Sequence, residues 1–370
     1  MKDRDKLAMP LSRRRFLKSA SYAAVAAGLT SATSVRLHAQ PAKPAELLVR
    51  AWGGNWADSL DKGVSKPFTE ATGIKVSYDT TYHEEMKPKI WQAVAQNRPP
   101  PVHVNWDISA TAIESARRGV CVDLSDLDQL PEMNDIAKPT GVEGVPYIAM
   151  YSYVYILAYS GKAFPDAPPD SWNVLLDPKF KGRIAILDTG DGLIQVAPIA
   201  GGGSAGDIPG NMEKGWEWMR KLKANEPLLG KDPDMTKWFQ QGEVDVGCTI
   251  VTNLMPVKNA GVDVRWAVPK ESAYVATDCM WVPTGFNESE TYWAKQYVNF
   301  AMTPQAQETW CYALGLPGTR KGFKPPAEFA NDPSYPTEAA DFANLLQMAD
   351  EVKATNWKDW QLKYKEIMNI

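Results

Sequence analysis

The sequence predicts an α/β protein with more than one domain, and three observations carry that expectation. The chain has 370 residues, which is long for one hydrophobic core and suits two domains. Its early part alternates short apolar runs with amphipathic segments, the signature of β-α-β units and parallel strands. Apolar residues make up 44% and charged residues 23%, with no low-complexity tract, so the whole of that pattern belongs to a folded chain.

Residues 1–39 stand outside the expected fold. Ser12-Arg13-Arg14-Arg15-Phe16-Leu17-Lys18 is a twin-arginine export motif. An Ala/Gly/Ser/Thr-rich stretch follows to Val35, and Leu37-His38-Ala39 is a small-residue cleavage candidate. Ser, Thr and Gly interrupt the apolar stretch, which argues against a permanent transmembrane helix. The expectation is export to the periplasm by the twin-arginine machinery, with a cut near Ala39. The leader carries eight Lys/Arg and two acids, so losing its net +6 takes the formal charge from −4 to −10. An acidic mature chain argues against a nucleic-acid partner and leans towards cationic ligands.

The elements follow in order. Residues 47–52 (Leu-Leu-Val-Arg-Ala-Trp) form a short buried strand ending in Gly53-Gly54-Asn55. A helix over 56–72 stops at Gly73, and 74–78 is the next strand, which together make one β-α-β unit with a right-handed crossover. A second helix is expected over 82–96 in spite of Pro88, a third strand over 102–106 and a third helix over 109–119. Tyr147, Tyr151, Tyr153, Tyr155 and Tyr159 mark a long aromatic run whose alternation favours a strand able to span two lobes. Residues 171–178 begin a short capped helix, 181–188 a strand ending in acid, 211–224 a helix, 243–251 a strand and 252–259 a helix. Helices are expected over 290–302, 304–313 and 336–368, with a turn at Gly315-Leu316-Pro317-Gly318-Thr319.

One stretch, residues 268–285, organises the rest. It pairs a Pro-Lys-Glu turn with an apolar-rich run that carries a single acid, Asp278. An unpaired buried charge is costly, so that carboxylate needs a partner, either inside the protein or in a ligand. In open α/β sheets ligands bind beyond the carboxyl ends of strands. Here those ends carry Trp52 with two glycines, and Trp106-Asp107-Ile108-Ser109.

Catalytic signatures are scarce. The three histidines form no zinc cluster, and neither G-x-S-x-G nor H-E-x-x-H occurs. Gly201-Gly202-Gly203-Ser204-Ala205-Gly206 formally satisfies G-x-G-x-x-G, yet Pro209 and Gly210 follow at once where a helix must open, so a loop is expected. No cofactor is called for. Four cysteines allow three pairings, and spacing does not choose among them.

An ordered series of motifs resembles the extracellular solute-binding proteins of ABC importers, with the spermidine/putrescine-binding group nearest. The pieces are Trp52-Gly53-Gly54, Phe68-Thr69-Glu70-Ala71-Thr72-Gly73-Ile74-Lys75-Val76, Val145-Pro146-Tyr147, Ser171-Trp172, Pro178-Lys179-Phe180-Lys181-Gly182, Gly242-Glu243-Val244-Asp245-Val246-Gly247, Pro269-Lys270-Glu271, Thr277-Asp278, Pro283, Tyr297-Val298-Asn299-Phe300 and Gly315-Leu316-Pro317. The resemblance implies a two-lobed periplasmic-binding-protein-like fold of type II, each lobe a mixed sheet flanked by helices, joined by crossover strands. It implies closure on a ligand by a hinge motion and delivery to a membrane permease by a monomer. Lobe 1 is expected over 45–153 plus 277–322 and lobe 2 over 154–276 plus 323–370.

The resemblance also implies that Asp278 holds an amine. Trp52 and Trp106 would be aromatic faces, Asp107 and Ser109 contacts from one lobe, and Asp188, Thr189, Asp191 and Thr249 contacts from the other. The chain departs from the polyamine pattern at Ala276, Ile250 and Leu316, where aromatics are expected, and in the shifted register of Asp188 and Asp191. The ligand expected is therefore a small, cationic, polyamine-like solute. The alternatives are an anionic or neutral solute (carboxylate, phosphonate or thiamine-like) on the same fold, and a periplasmic enzyme.

Overall fold

The structure, a computed structural model, describes residues 40–370; the twin-arginine motif and the Ala39 cleavage candidate lie outside the described residues. The expected first unit forms where the apolar run can be buried. Strands β1 (Glu46–Arg50) and β2 (Lys75–Asp79) pair in parallel, with Leu47 and Val49 fully buried. The helix between them is α1 (Asn55–Leu60) and α2 (Lys66–Thr72) joined through a π-helical turn at Asp61–Ser65. Pro67 has no amide hydrogen to donate to Gly63, so a regular ladder cannot run through this point. A Cβ on Gly63 would lie 2.7 Å from the Trp310 Cβ and 2.9 Å from its backbone nitrogen, so the glycine is what lets the backbone at Trp310 come this close.

Strand β3 (Val104–Ile108) lies beside β1 in parallel, with α3 (His83–Ala95) and α4 (Ser109–Arg117) flanking the sheet. Strand β4 (Ile148–Ser160) is the expected tyrosine run, buried along nearly its whole length. The second half of the chain adds β5 (Ile184–Leu187), β6 (Leu228–Gly230), β7 (Val246–Ile250), β8 (Val264–Ala267), β9 (Tyr274–Trp281) and β10 (Leu346–Gln347). Its helices are α5 (Leu193–Ala200), α6 (Glu213–Lys223), α7 (Asp232–Gln241), α8 (Val251–Asn259), α9 (Glu288–Ala301), α10 (Pro304–Leu314) and α11 (Asp350–Met368).

The strand order is β2-β1-β3-β9-β4-β7-β5-β6, with β8 on β4 and β10 on β9. Strand β4 changes partners partway along. Ile148 to Val154 pair antiparallel with β9, whereas Tyr155 to Tyr159 pair antiparallel with β7. Strand β9 follows β8 of the second half and then runs antiparallel to β3 of the first. The molecule is thus two lobes of the type II periplasmic-binding-protein fold, each a mixed sheet with helices on it, joined through β4 and β9.

The tail differs from its expectation. Helix α11 begins only at Asp350, and residues 336–349 instead form a 3₁₀ turn at Asp341–Asn344 and the short strand β10. Asp341 holds the Thr337 and Glu338 amides, and Leu346–Gln347 pair with Tyr274–Val275, so this backbone finds its hydrogen bonds on the crossover strand. Helix α11 then fastens to both lobes. Arg117 pairs with Glu351 at 2.6 Å on one side, while the Tyr364 hydroxyl donates to the Leu187 carbonyl at 2.7 Å on the other. The four cysteines are unbridged, and Cys248, Cys279 and Cys311 are buried as small apolar residues.

Candidate ligand site between the lobes

Strand β9 places Asp278 at the junction of the lobes, opposite Ile108 of β3 and Tyr151 of β4. Alternation along β4 sends Tyr151 and Tyr153 to the same face, and both hydroxyls donate to this carboxylate. Tyr153 reaches Oδ1 at 3.1 Å and Tyr151 makes a short bond to Oδ2. Asp278 is 6% exposed, and it forms no salt bridge among the described residues. Burial pushes its carboxyl up to about 7; the two tyrosine hydroxyls and, more remotely, Arg50 work against that shift, while the charge of Asp107 adds to it. Burial and the Asp278 charge keep both phenols protonated. The Trp56 indole donates in turn to the Tyr151 oxygen at 3.2 Å, fixing the ring.

The tip of β1 forms the first-lobe rim. Trp52 is half-buried, with the Arg50 guanidinium 3.8 Å over its ring and Tyr82 and His83 packed at 6.0 and 5.1 Å. Its indole Nε1 is buried with no hydrogen-bond partner among the described residues. Arg50 is itself buried and donates to the carbonyls of Thr81 and Trp106 at 2.8 and 2.9 Å. Burial lowers its pKa to about 10, with Asp107 and Asp278 opposing, so it stays cationic at neutral pH.

Across the cleft the second-lobe rim is acidic. Asp188 and Thr189 follow β5 and are partly exposed, and Asp232 opens α7 after β6 and is exposed. Asn253 donates to Asp232 at 2.7 Å and to Thr249 at 2.9 Å. Although water reaches Asp232, the crowded walls around it raise its carboxyl; the Asn253 bond opposes this, and the charges of Asp191 and Asp188 reinforce it. Tyr82 of the first lobe lies within electrostatic reach of Asp232 and Asp191, so the two rims face each other.

The structure sorts the nine sequence-nominated residues into distinct surroundings. Asp278, Trp52, Asp188 and Thr189 line the junction or its rims. Thr249 is fully buried behind Asn253. Trp106 is 0% exposed and packed between Trp56, Trp310 and Tyr151, beneath the junction. Asp107 points to the opposite side of β3 from Trp106, where Oδ1 accepts from His83, Thr111 and its neighbour's amide and Lys87 stands 4.0 Å from Oδ2. Burial alone would raise this carboxyl, but Lys87 and His83 hold it below the usual range. Ser109 is buried and accepts from the Thr277 hydroxyl at 2.8 Å, tying the start of α4 to the crossover strand. Asp191 is 7% exposed and bound through both oxygens to Lys353 of α11, at 2.8 and 2.9 Å.

Arg50, Asp232 and Lys353 escaped the sequence reading. Asp232 had a usable signal, since Asp-Pro just before an amphipathic run marks a helix start. Lys353 had none, because it sits 162 residues from its partner.

The sequence family described as bacterial extracellular solute-binding protein matches residues 64–337. The spermidine/putrescine-binding periplasmic protein of Escherichia coli is 26% identical over 304 residues, covering 78% of this chain and 84% of that protein. Among solved structures, an ABC transporter substrate-binding protein from Bradyrhizobium japonicum superposes with a TM-score of 0.75 at 18% identity, covering 88% of this chain and all of that one. A GABA receptor does so with a TM-score of 0.73 at 18% identity, over 87% and 97% of the two chains. These likenesses at low identity speak for the fold, and the family match spans most of the chain. The protein belongs to the bacterial extracellular solute-binding family.

Proposed function

We propose that this protein, the substrate-binding component of an ABC transporter, captures a small amine-bearing solute between its lobes and delivers it to a membrane permease. The observation that carries the reading is Asp278: a buried carboxylate at the lobe junction whose hydrogen bonds come from two neutral tyrosines. A ligand ammonium supplies the missing cation, and charge-assisted bonds of this kind are worth about 1.5–3 kcal/mol each. The acidic rim at Asp188 and Asp232 favours the same sign of charge. Trp52 offers a half-buried ring and Thr189 a hydroxyl, and Ser109 and Thr249 hold their neighbours in place.

The partner change of β4 between Val154 and Tyr155 supports lobes of 45–153 plus 277–322 and 154–276 plus 323–370. The leader motif and the periplasmic relatives support export to the periplasm with a cut near Ala39. One further observation favours a second reading: Arg50 places a permanent cation under Trp52, which suits a ligand bearing a carboxylate as well as an amine. Titration calorimetry with butylamine, 4-aminobutanoate and succinate separates the two readings. Binding of succinate alone, with neither amine taken up, overturns the amine reading.

A further inference from the structure

Resting on the amine-capture reading, the geometry points to Lys353 as a specificity-determining residue: its ammonium fills a second amine subsite from within the chain, so the protein takes ligands with one cationic end and rejects diamines. The surroundings of Lys353 Nζ are those expected for a bound primary amine. It is bonded to both oxygens of Asp191 and lies 5.3 Å over the Tyr274 ring and 4.7 Å over the Trp357 ring, in a side chain 1% exposed. A carboxylate with flanking aromatic faces is the chemistry that recognises an alkylammonium ion. One acceptor there is left over: Gln195 donates its amide to Asp191 Oδ1 at 2.8 Å, while its buried Oε1 has no partner among the described residues. The box also belongs to the same cleft as Asp278. Tyr153, which bonds Asp278 at 3.1 Å, packs on Tyr155 at 5.8 Å, and Tyr155 stacks at 5.8 Å on Tyr274, the ring beneath Lys353. A ligand amine at Asp278 therefore finds the neighbouring acid already neutralised, and a second ligand amine would be repelled by Lys353.

A structural ion pair would also anchor α11, so the test reads ligand preference rather than stability. Putrescine and butylamine are titrated calorimetrically into the wild type, Lys353→Met, and the double variant Lys353→Met with Asp191→Asn. The expected result is that Lys353→Met gains about ten-fold or more for putrescine relative to butylamine, that the wild type shows no such preference, and that the double variant loses the gain. An unchanged ratio in Lys353→Met, or a wild type that already prefers putrescine, overturns the proposal. Should Lys353→Met alone fail to fold, Lys353→Ala in an Asp278→Asn background, which lacks the other amine site, is melted with and without butylamine. Restoration of the transition by the free amine supports the subsite, and no restoration overturns it. Asp278→Asn in the wild-type background reads the parent assignment separately. Loss of butylamine binding there with an unchanged Lys353→Met ratio sinks only the subsite, and the converse sinks only the role of Asp278.

Discussion

Replacing Asp278 by Asn removes a charge while keeping the shape and the tyrosine contacts, and its effects on binding and on stability run in opposite directions. The buried carboxyl stands at about 7 against an ordinary value of 3.8. A difference of about three in pKa corresponds to about 4 kcal/mol between the ionised and neutral forms, an upper bound because the site can relax. The folded state holds its proton more tightly than the unfolded chain does. The group's contribution is therefore complete below pH 4 and lost as pH rises through 7. Asp278→Asn should match the wild type near pH 4 and be the more stable protein at pH 8, by about 1–4 kcal/mol in denaturant titrations. Its ligand affinity should fall roughly ten- to a hundred-fold, the loss of one charge-assisted bond. In the wild type, a cationic ligand should expel the proton from Asp278, so affinity should rise with pH up to about 7 and then level off. Calorimetry in two buffers of different ionisation enthalpy detects the released proton. Unchanged affinity in the Asn variant, or a variant less stable than the wild type at pH 8, would refute the reasoning.

Three other perturbations test neighbouring parts of the argument. Tyr153→Phe removes the 3.1 Å donor to Asp278; it should raise the carboxyl further and move the pH profile of ligand binding upward, visible in the same titrations. Asp107→Asn breaks the buried network with His83 and Lys87 and should cost about 3–5 kcal/mol in stability. The ligand-affinity ratio between matched amines should stay where it was, because Asp107 spends its bonds on His83, Thr111 and its neighbour's amide. Gly192 has φ 81, and a Cβ there would come within 2.2 Å of the Tyr155 ring. Gly192→Ala should therefore lower the melting temperature, through left-handed strain of about 1–3 kcal/mol and displacement of a crossover-strand tyrosine.

What could be read from the sequence followed from the range of the signal. The β-α-β unit, the tyrosine strand and the apolar run around Asp278 are local patterns, and each forms where the pattern put it. Helix α5 was missed because residues 193–200 are apolar all round, Leu-Ile-Gln-Val-Ala-Pro-Ile-Ala, and give no amphipathic period. The expected helix over 336–349 failed because hydrogen bonding to β9 outweighed local propensity. Trp106 was read as a ligand face from its place at a strand tip, but its side was decided by tertiary packing of Trp56 and Trp310. Arg50 was hidden inside an apolar run. What makes it tolerable there is a pair of carbonyls and the Asp107 and Asp278 charges, none of which lie near it in the chain.

Three buried acids of the junction differ chiefly in what each has been given as a partner. Asp107 has Lys87 and His83 and is held ionised; Asp191 has Lys353 on both oxygens; Asp278 has hydroxyls alone. Two of the three charges are therefore settled by the chain, and only Asp278 leaves a charge for a ligand to meet. Its position adds a consequence for the order of events. In the proposed capture between the lobes, Asp278, Tyr151 and Tyr153, standing on the strands that join the lobes, would move least on opening, whereas Trp52 and Tyr82 would part from Asp188 and Asp232. On that proposal a ligand would anchor at the hinge in the open state and meet both rims only on closure. Its differential affinity for the closed state, which is what would drive closure, would then come from the rim residues rather than from Asp278.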